Sequence, residues 1–324
     1  MGEVTILRSG PRTTVQDLGR PGRRREGVSP GGALDLFAAR IANLLVGNPE
    51  NAALLEITLG GLRLRCDEER TMAWCGGEFS ARIDAEGIPA GRPAVVRPGE
   101  ELVFEMATAG CRAWLAIAGG IEAPLVLGSR ATDLRSGFGG HEGRALREGD
   151  RLSLGEGSLR KAQGTARLAS WSAPLEWSRR AGPRPLLRVV RGSEWDEFVP
   201  ESQRAFFQET FTVSQKADRM GVRLEGAELR RTNDWELTSE AVAPGTVQVA
   251  NDRQPIVLLG DCQTIGGYPK IAHVITVDLA RAAQLRPNDS VRFREVSPAE
   301  AAALFLEREA DLCRFRTGLA LRAR

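Results

Sequence analysis

A single tyrosine, two histidines and three lysines are few for a chain of 324 residues. The histidines, His141 and His273, lie far apart, so a Ser-His-Asp or Cys-His constellation has little to draw on. Cys66, Cys75, Cys111, Cys262 and Cys313 are an odd number with no Cys-x-x-Cys pair. That speaks against a zinc site or other metal centre and against a disulfide framework, and it fits a reducing cytoplasm. No apolar run reaches the roughly 18 residues of a membrane-spanning helix. The start, MGEVTILRSG, lacks the charged-then-apolar profile of a secretion signal, so no membrane role is expected. Loops of the form G-x-x-x-x-G-K-[ST] and G-x-G-x-x-G are missing, which leaves autonomous nucleotide binding unsupported. None of Lys161, Lys216 and Lys270 follows a methionine, so there is no Met-Lys biotin attachment site, and biotin, if used, arrives on another protein.

What is present is an ordinary globular composition, 42% hydrophobic and 27% charged, with a formal net charge of +2. The one dense basic run, Arg23 to Arg25, reads as a solvated loop, and no nucleic-acid partner is expected. The length exceeds a typical single core. Residues 171–185, WSAPLEWSRRAGPRP, carry proline, glycine and charge without periodicity and read as a linker. The predicted organisation is a β-barrel over 1–170, that linker, a second β-barrel over 186–295 and a C-terminal helix over 296–324.

Both halves read as short strands punctuated by glycine: EITLGGLRLRC, EFSARIDAEG and AWLAIAGGI, then LLRVVRG, TFTVS, VRLEG, GTVQVA, PIVLLG and HVITVDL. A turn-then-strand unit recurs as RPGEELVF from Arg97, REGDRLSL from Arg147 and RPNDSVRF from Arg286. A weaker echo links GRPGRRREG with DRMGVRLEG, and together these point to two related barrels. Helices are few. LDLFAARIANLLV, stopped by Gly47 and Pro49, puts Phe37, Ile41, Leu44 and Leu45 on one face. Ser193 and Asp196 open EWDEF, Pro200 starts a short helix, and Ser297-Pro298-Ala299-Glu300 caps a last helix predicted to end at Gly318.

Three clusters offer chemistry. TTVQDLGRPG joins Gln16, Asp17 and Arg20 at a strand end, and GVSPGGALD leads an amide-rich loop into a helix start at Asp35. Unpaired amides there bind anions; the alternative is that Asp17 and Asp35 only cap a turn and a helix. Residues 128–150, GSRATDLRSGFGGHEGRALREGD, form a long glycine-rich loop with Arg130, Asp133 and Arg135. Such a loop is either functional or pinned by an Arg-Asp network. In the third cluster the strand PIVLLG ends in Asp261, Gln263 and Thr264, Gly266-Gly267 admits a close ligand, and Pro269 stiffens the segment holding Tyr268 and Lys270. These side chains suit an amide or carboxylate ligand; the alternative is a tyrosine cap and a solvated lysine on a barrel rim.

TTVQDLGRPG, GVSPGGALD, IANLLVGN, LEITLGG, AIAGGI, VLGSRATDLRSGFGGHEGRAL, DRMGVRLEG and QTIGGYPKIA together resemble the allophanate hydrolase subunit 2 family, from about Thr5 to Phe293. That family includes KipI antagonists, the C component of 5-oxoprolinase and part of the carboxyltransferase region of urea carboxylase. The resemblance implies a mainly β fold of two tandem cyclophilin-like barrels and a KipI-like partner resembling allophanate hydrolase subunit 1. In the 5-oxoprolinase setting, a complex that includes a lactam-binding subunit uses ATP cleavage to open 5-oxoproline to glutamate. In the urea carboxylase setting carboxyl passes from carboxybiotin to urea, and a third possibility is a non-catalytic antagonist of the KipI-like protein. The first is the leading expectation, since no biotin carboxylase or carrier is fused to the chain.

Read from these clusters, the expected catalytic residues are Lys270, Tyr268 and Asp261. The expected substrate-binding residues are Gln16, Asp17, Arg20, Asp35, Arg135, Arg219, Glu240, Gln263, Thr264, Gly266 and Gly267. Tyr268 and Lys270 are predicted to converge on a substrate carboxylate or developing oxyanion, with lysine kept for its compact charge. The chain departs from the family pattern at Val222, Ala241, residues 250–253, Cys262 and Ile265.

Overall fold

A computed structural model describes residues 2–157, 167–178, 185–233 and 236–322. The chain forms two compact units, one of Met1–Arg20, Gly31–Ala181 and Arg316–Arg324, the other of Pro21–Pro30 and Gly182–Phe315. Residues 179–184 of the predicted linker lie outside the described residues.

In the first unit, period-two patterning makes sheets with one apolar face. Strand Leu62–Cys66 buries Leu62, Leu64 and Cys66 and exposes Arg63 and Arg65. It lies in a six-stranded sheet ordered Arg151–Ser153, Glu3–Ser9, Leu62–Cys66, Glu101–Phe104, Ala81–Ile83 and Glu86–Gly87. A five-stranded sheet runs Arg12–Gln16, Leu54–Thr58, Ala109–Ile117, Arg70–Glu78 and Ala94–Val96. Side chains from both sheets share one core, in which Trp74 and Phe104 meet edge to face at 5.4 Å. Helix Leu36–Leu45 packs on Ala109–Ile117 and Arg70–Glu78 and buries the predicted Phe37, Ile41 and Leu45. Asp35 is its cap, accepting from Ala38 N at 2.9 Å.

The second unit holds a closed barrel ordered Leu186–Arg191, Lys270–Val274, Thr246–Val249, Pro255–Leu258, Gly221–Glu225, Phe211–Val213 and Ser290–Glu295. Parallel pairing of the first and last strands, with Leu187 opposite Phe293, closes it and removes the free edges of an open sheet. Helix Pro200–Gln208, with proline at its first position as predicted, brings Phe206 to stack on Phe293 at 4.4 Å. Ser29 ties Pro21–Pro30 into this unit by donating to the carbonyl of Cys262 at 2.7 Å.

The recurring turn is one device used three times. Arg97 N donates to the Glu100 carboxylate at 2.8 Å, Arg147 N to Asp150 at 2.7 Å and Arg286 N to Asp289 at 2.8 Å, each just before a strand. An acid three residues on thus satisfies the amide that opens the turn. The other echo does not repeat in structure. Gly221–Glu225 is a strand burying Val222 and Leu224, whereas Arg24–Glu26 is a short 3-10 turn with no buried residue, since an arginine run cannot supply an apolar face.

HVITVDL is not one strand. The strand ends at Val274 and the chain turns through a 3-10 segment, Thr276–Asp278, because Asp278 is buried to receive the backbone and guanidinium of Arg188 at 2.7–2.9 Å. Ser193 gives the 3-10 turn Trp195–Glu197 no side-chain cap. The last helix passes Gly318 and runs Pro298–Arg322. A helical glycine costs about 1 kcal/mol relative to alanine, and the following Leu319, Ala320 and Leu321 are helix formers that offset it.

Candidate functional site

The second unit carries a cleft of about 590 Å³, within the range of small-molecule sites. The hairpin end around Val249–Arg253 forms one wall. Gln263, Gly266, Gly267, Tyr268 and Pro269 form another, and Leu229, Arg231, Glu236 and Leu237 complete it. The two glycines sit where a side chain would be tight. A Cβ on Gly266 would lie 3.0 Å from the Gln248 amide, and one on Gly267 3.1 Å from the Leu237 carbonyl. Gln248 is buried and holds the segment by donating to the Tyr268 carbonyl at 3.0 Å. Its Oε1 lies 3.4 Å from Gln263 Nε2, which leaves the Gln263 carbonyl oxygen for another donor. Tyr268 is 40% exposed and its hydroxyl has no protein partner among the described residues. The wall therefore presents a phenol and an amide carbonyl on a segment whose backbone is fixed.

The neighbouring predicted residues are engaged with protein groups. Lys270 is buried, its ammonium 3.1 Å from Glu194 and 3.2 Å from Glu240, and its own amide donates to Glu194 at 2.7 Å. Burial alone would lower the Lys270 pKa; the contacts to Glu194 and Glu240 outweigh it and hold the pKa above its ordinary value. For Glu194, burial acts upward, but hydrogen bonds from Ser193 and Lys270 pull it below the usual range. Asp261 is also buried and makes a two-point pair with Arg219, at 2.7 and 3.0 Å. Thr264 is buried with its carbonyl receiving Val242 N, and Glu240–Ala241 pairs with Ile265–Gly266 beside it. Burial pushes the Cys262 thiol up to about 11, so it is no thiolate nucleophile at neutral pH. Burial, with Lys270 nearby, likewise lowers the His273 pKa and disfavours the charged ring.

The predicted residues of the first unit cluster among themselves. Asp17 accepts from Gly19 N at 2.7 Å, Ser129 Oγ at 2.6 Å and Arg130 N at 2.6 Å. Arg20 donates to the Ala131 carbonyl at 2.5 Å and lies over the Phe138 ring at 4.9 Å. Gln16 donates to Thr14 and to the Thr132 carbonyl. These bonds pin the 128–150 loop, and Asp133 folds it further by accepting from Arg135 N and Ser136 N. Arg135 is exposed. Among the described residues no group donates to the buried Gln16 Oε1 or to the second oxygen of Asp35.

Glu194, Gln248 and the Glu56 group escaped the sequence reading. Glu56 is buried and accepts from Trp114 Nε1 at 3.0 Å and Leu34 N at 3.1 Å, beside Arg112 at 3.6 Å. A polar residue inside an apolar strand, as in TVQV and LLEIT, was the available signal for Gln248 and Glu56. Glu194 had only Gly192, which lets the chain pass against the Lys270 carbonyl. Among the described residues, no group of three or more His, Cys, Asp or Glu side chains could hold a metal ion, and no helix is long and apolar enough to cross a membrane.

Comparison with known proteins fits this architecture. The chain is 43% identical over 300 residues to the C component of 5-oxoprolinase from Escherichia coli strain K12, covering 92% of this chain and 93% of that protein. It is 37% identical to the C component of 5-oxoprolinase from Haemophilus influenzae, covering 97% of both. Among solved structures, the Kluyveromyces lactis urea carboxylase matches with a TM-score of 0.90 at 30% identity, over 97% of this chain and 29% of that one. Residues 26–295 match the family described as carboxyltransferase domain, subdomain A and B. The chain belongs to that carboxyltransferase-domain family.

Proposed function

We propose that this chain is the C component of an ATP-dependent 5-oxoprolinase, acting in the cytoplasm with a KipI-like subunit and a lactam-binding subunit to open 5-oxoproline to glutamate. The observation that carries the reading is the 43% identity to the C component of a 5-oxoprolinase along nearly the full length of both chains. The cleft supports it. A lactam presents one N–H and one carbonyl; the Gln263 carbonyl oxygen can accept the former and the Tyr268 hydroxyl can donate to the latter. Such aimed donors stabilise charge that develops on an amide oxygen.

The residues of the cleft do not fit ATP. There is no phosphate loop, Arg231 is paired with Glu197, and Glu236 adds negative charge to the wall. Nucleotide binding therefore falls to the partner subunits. The test combines purified chain, KipI-like subunit and lactam-binding subunit and measures ADP release. Release should depend on 5-oxoproline and on all three proteins, and the isolated chain should show no turnover; turnover by the chain alone sinks the reading.

A second reading, a carboxyltransferase using biotin on another chain, is favoured by the match to urea carboxylase. The same amide and phenol groups suit a ureido ring, and carboxybiotin would supply the carboxyl group transferred. Avidin-sensitive, urea-dependent turnover would select it. Tight binding of the KipI-like protein with no turnover in any mixture would instead indicate a regulatory antagonist.

A further inference from the structure

Arg253 is in a conformation that favours glycine. The hairpin between Thr246–Val249 and Pro255–Leu258 turns with Arg253 N donating to the Ala250 carbonyl at 2.8 Å and Ala250 N to the Gln254 carbonyl at 3.1 Å. Arg253 then takes φ 62°, the left-handed position that closes such a turn and is ordinarily filled by glycine. A side chain there is disfavoured by roughly 1 kcal/mol. That side chain lies on the wall of the cleft that holds Tyr268 and Gln263.

Its pairing leaves donors over. Arg253 Nη1 meets Glu228 at 3.0 Å, and the same carboxylate oxygen receives Arg230 at 2.7 Å, so one negative charge faces two guanidinium groups. No protein group among the described residues takes the Nε and Nη2 edge of Arg253. A guanidinium edge of two parallel N–H groups is the shape that binds a carboxylate at two points.

We propose that Arg253 is the specificity residue of the cleft and selects ligands bearing a carboxylate beside the amide, as 5-oxoproline does, over neutral amides. This rests on the lactam reading of the cleft. Arg253 binds the ring carboxylate while Gln263 and Tyr268 take the ring amide, and the backbone cost is the consequence of placing an arginine there.

The test compares wild type with Arg253→Gly and Arg253→Lys in the assembled enzyme, using 5-oxoproline and 2-pyrrolidinone, the lactam without a carboxylate. Arg253→Gly should raise KM for 5-oxoproline at least tenfold with kcat within twofold, leave 2-pyrrolidinone unchanged, and leave the melting temperature of the chain equal or higher. Arg253→Lys should recover only part of the affinity. An unchanged KM for 5-oxoproline, or equal losses for both lactams, overturns the assignment while leaving the lactam reading standing. If the assembled enzyme turns over neither lactam, the proposed function fails, and direct titration of the isolated chain decides on Arg253. Tighter binding of 5-oxoproline than of 2-pyrrolidinone, lost in Arg253→Gly, supports it; equal binding of the two overturns it.

Discussion

Asp17 in the first unit and Gln263 in the second both follow the end of a strand in a glycine-rich motif, yet they are used differently. Asp17 spends its carboxylate on Gly19, Ser129 and Arg130, and the result is a fixed 128–150 loop. Gln263 lies on the wall of a cleft with only its amide nitrogen engaged, at 3.4 Å. Tyr268 and Arg253 beside it also keep unused donors, while Arg20 is buried on the Ala131 carbonyl. Residue type therefore does not separate the two clusters in this chain; remaining hydrogen-bonding capacity does. Among the described residues of the first unit, Gln16 Oε1 and Asp35 Oδ2 are buried acceptors without a donor, and Arg70 Nε and Arg130 Nε are buried donors without an acceptor; such a group costs about 1–3 kcal/mol.

The contrast can be broken at its strongest points. Asp261→Ala removes the two-point partner of the buried Arg219 and should cost about 3–5 kcal/mol in urea unfolding of the chain, the scale of breaking one side of a buried pair. Asp17→Ala should come close to it, about 3 kcal/mol, since three donors lose their acceptor. If either variant unfolds like wild type while its assembled enzyme is inactive, that carboxylate belongs to the chemistry and not to the scaffold.

Lys270 lies between the two roles. Lys270→Met should cost about 2 kcal/mol because Glu194 loses its counter-charge in a buried setting, and Lys270→Arg should restore most of it. A Met variant of normal stability whose turnover falls roughly 10²-fold would place the ammonium at the reacting centre instead. Tyr268→Phe should leave the melting temperature unchanged, as the hydroxyl has no protein partner among the described residues, and lower kcat/KM of the assembled enzyme roughly tenfold, about 1.4 kcal/mol.

The smallest effect is a difference in acid response. Hydrogen bonds from Arg167 hold Glu100 down at about 2, and those from Arg144 hold Asp150 down at about 2, both in the first unit. Their ordinary values, 4.5 and 3.8, apply once the chain unfolds. The unfolded chain thus binds more protons in this range, and the stability from these pairs is complete above about pH 4.5 and lost as pH falls toward 2. Glu100→Gln with Asp150→Asn should flatten the decline over that window. Amide exchange of Leu62–Cys66 should report the change and that of Thr246–Val249 should not.

Strands and turns were legible because their causes are local. Alternation in LRLRC sets a face, proline at 200 starts a helix, and the Arg-x-x-acid spacing makes the three capped turns. Where a local rule met a distant partner, the partner won: Asp278 ended the strand in HVITVDL because Arg188 was there to donate to it. The same holds in the site. The glycine pair, Tyr268 and Gln263 could be named from QTIGGYP, but the Glu194 that holds Lys270 lies 76 positions away.

By itself the sequence determined the mainly β architecture, the family and the segment from which the cleft is built, since hydrophobic period, turn chemistry and motif order are carried by neighbours along the chain. Only the tertiary structure decided which of the marked polar groups are consumed. Whether Asp17, Asp261 and Lys270 meet a partner, and whether Tyr268 and Arg253 keep donors to spare, depends on segments joined by sheet pairing and burial, and a hydrogen bond already made inside the protein is not available to a ligand.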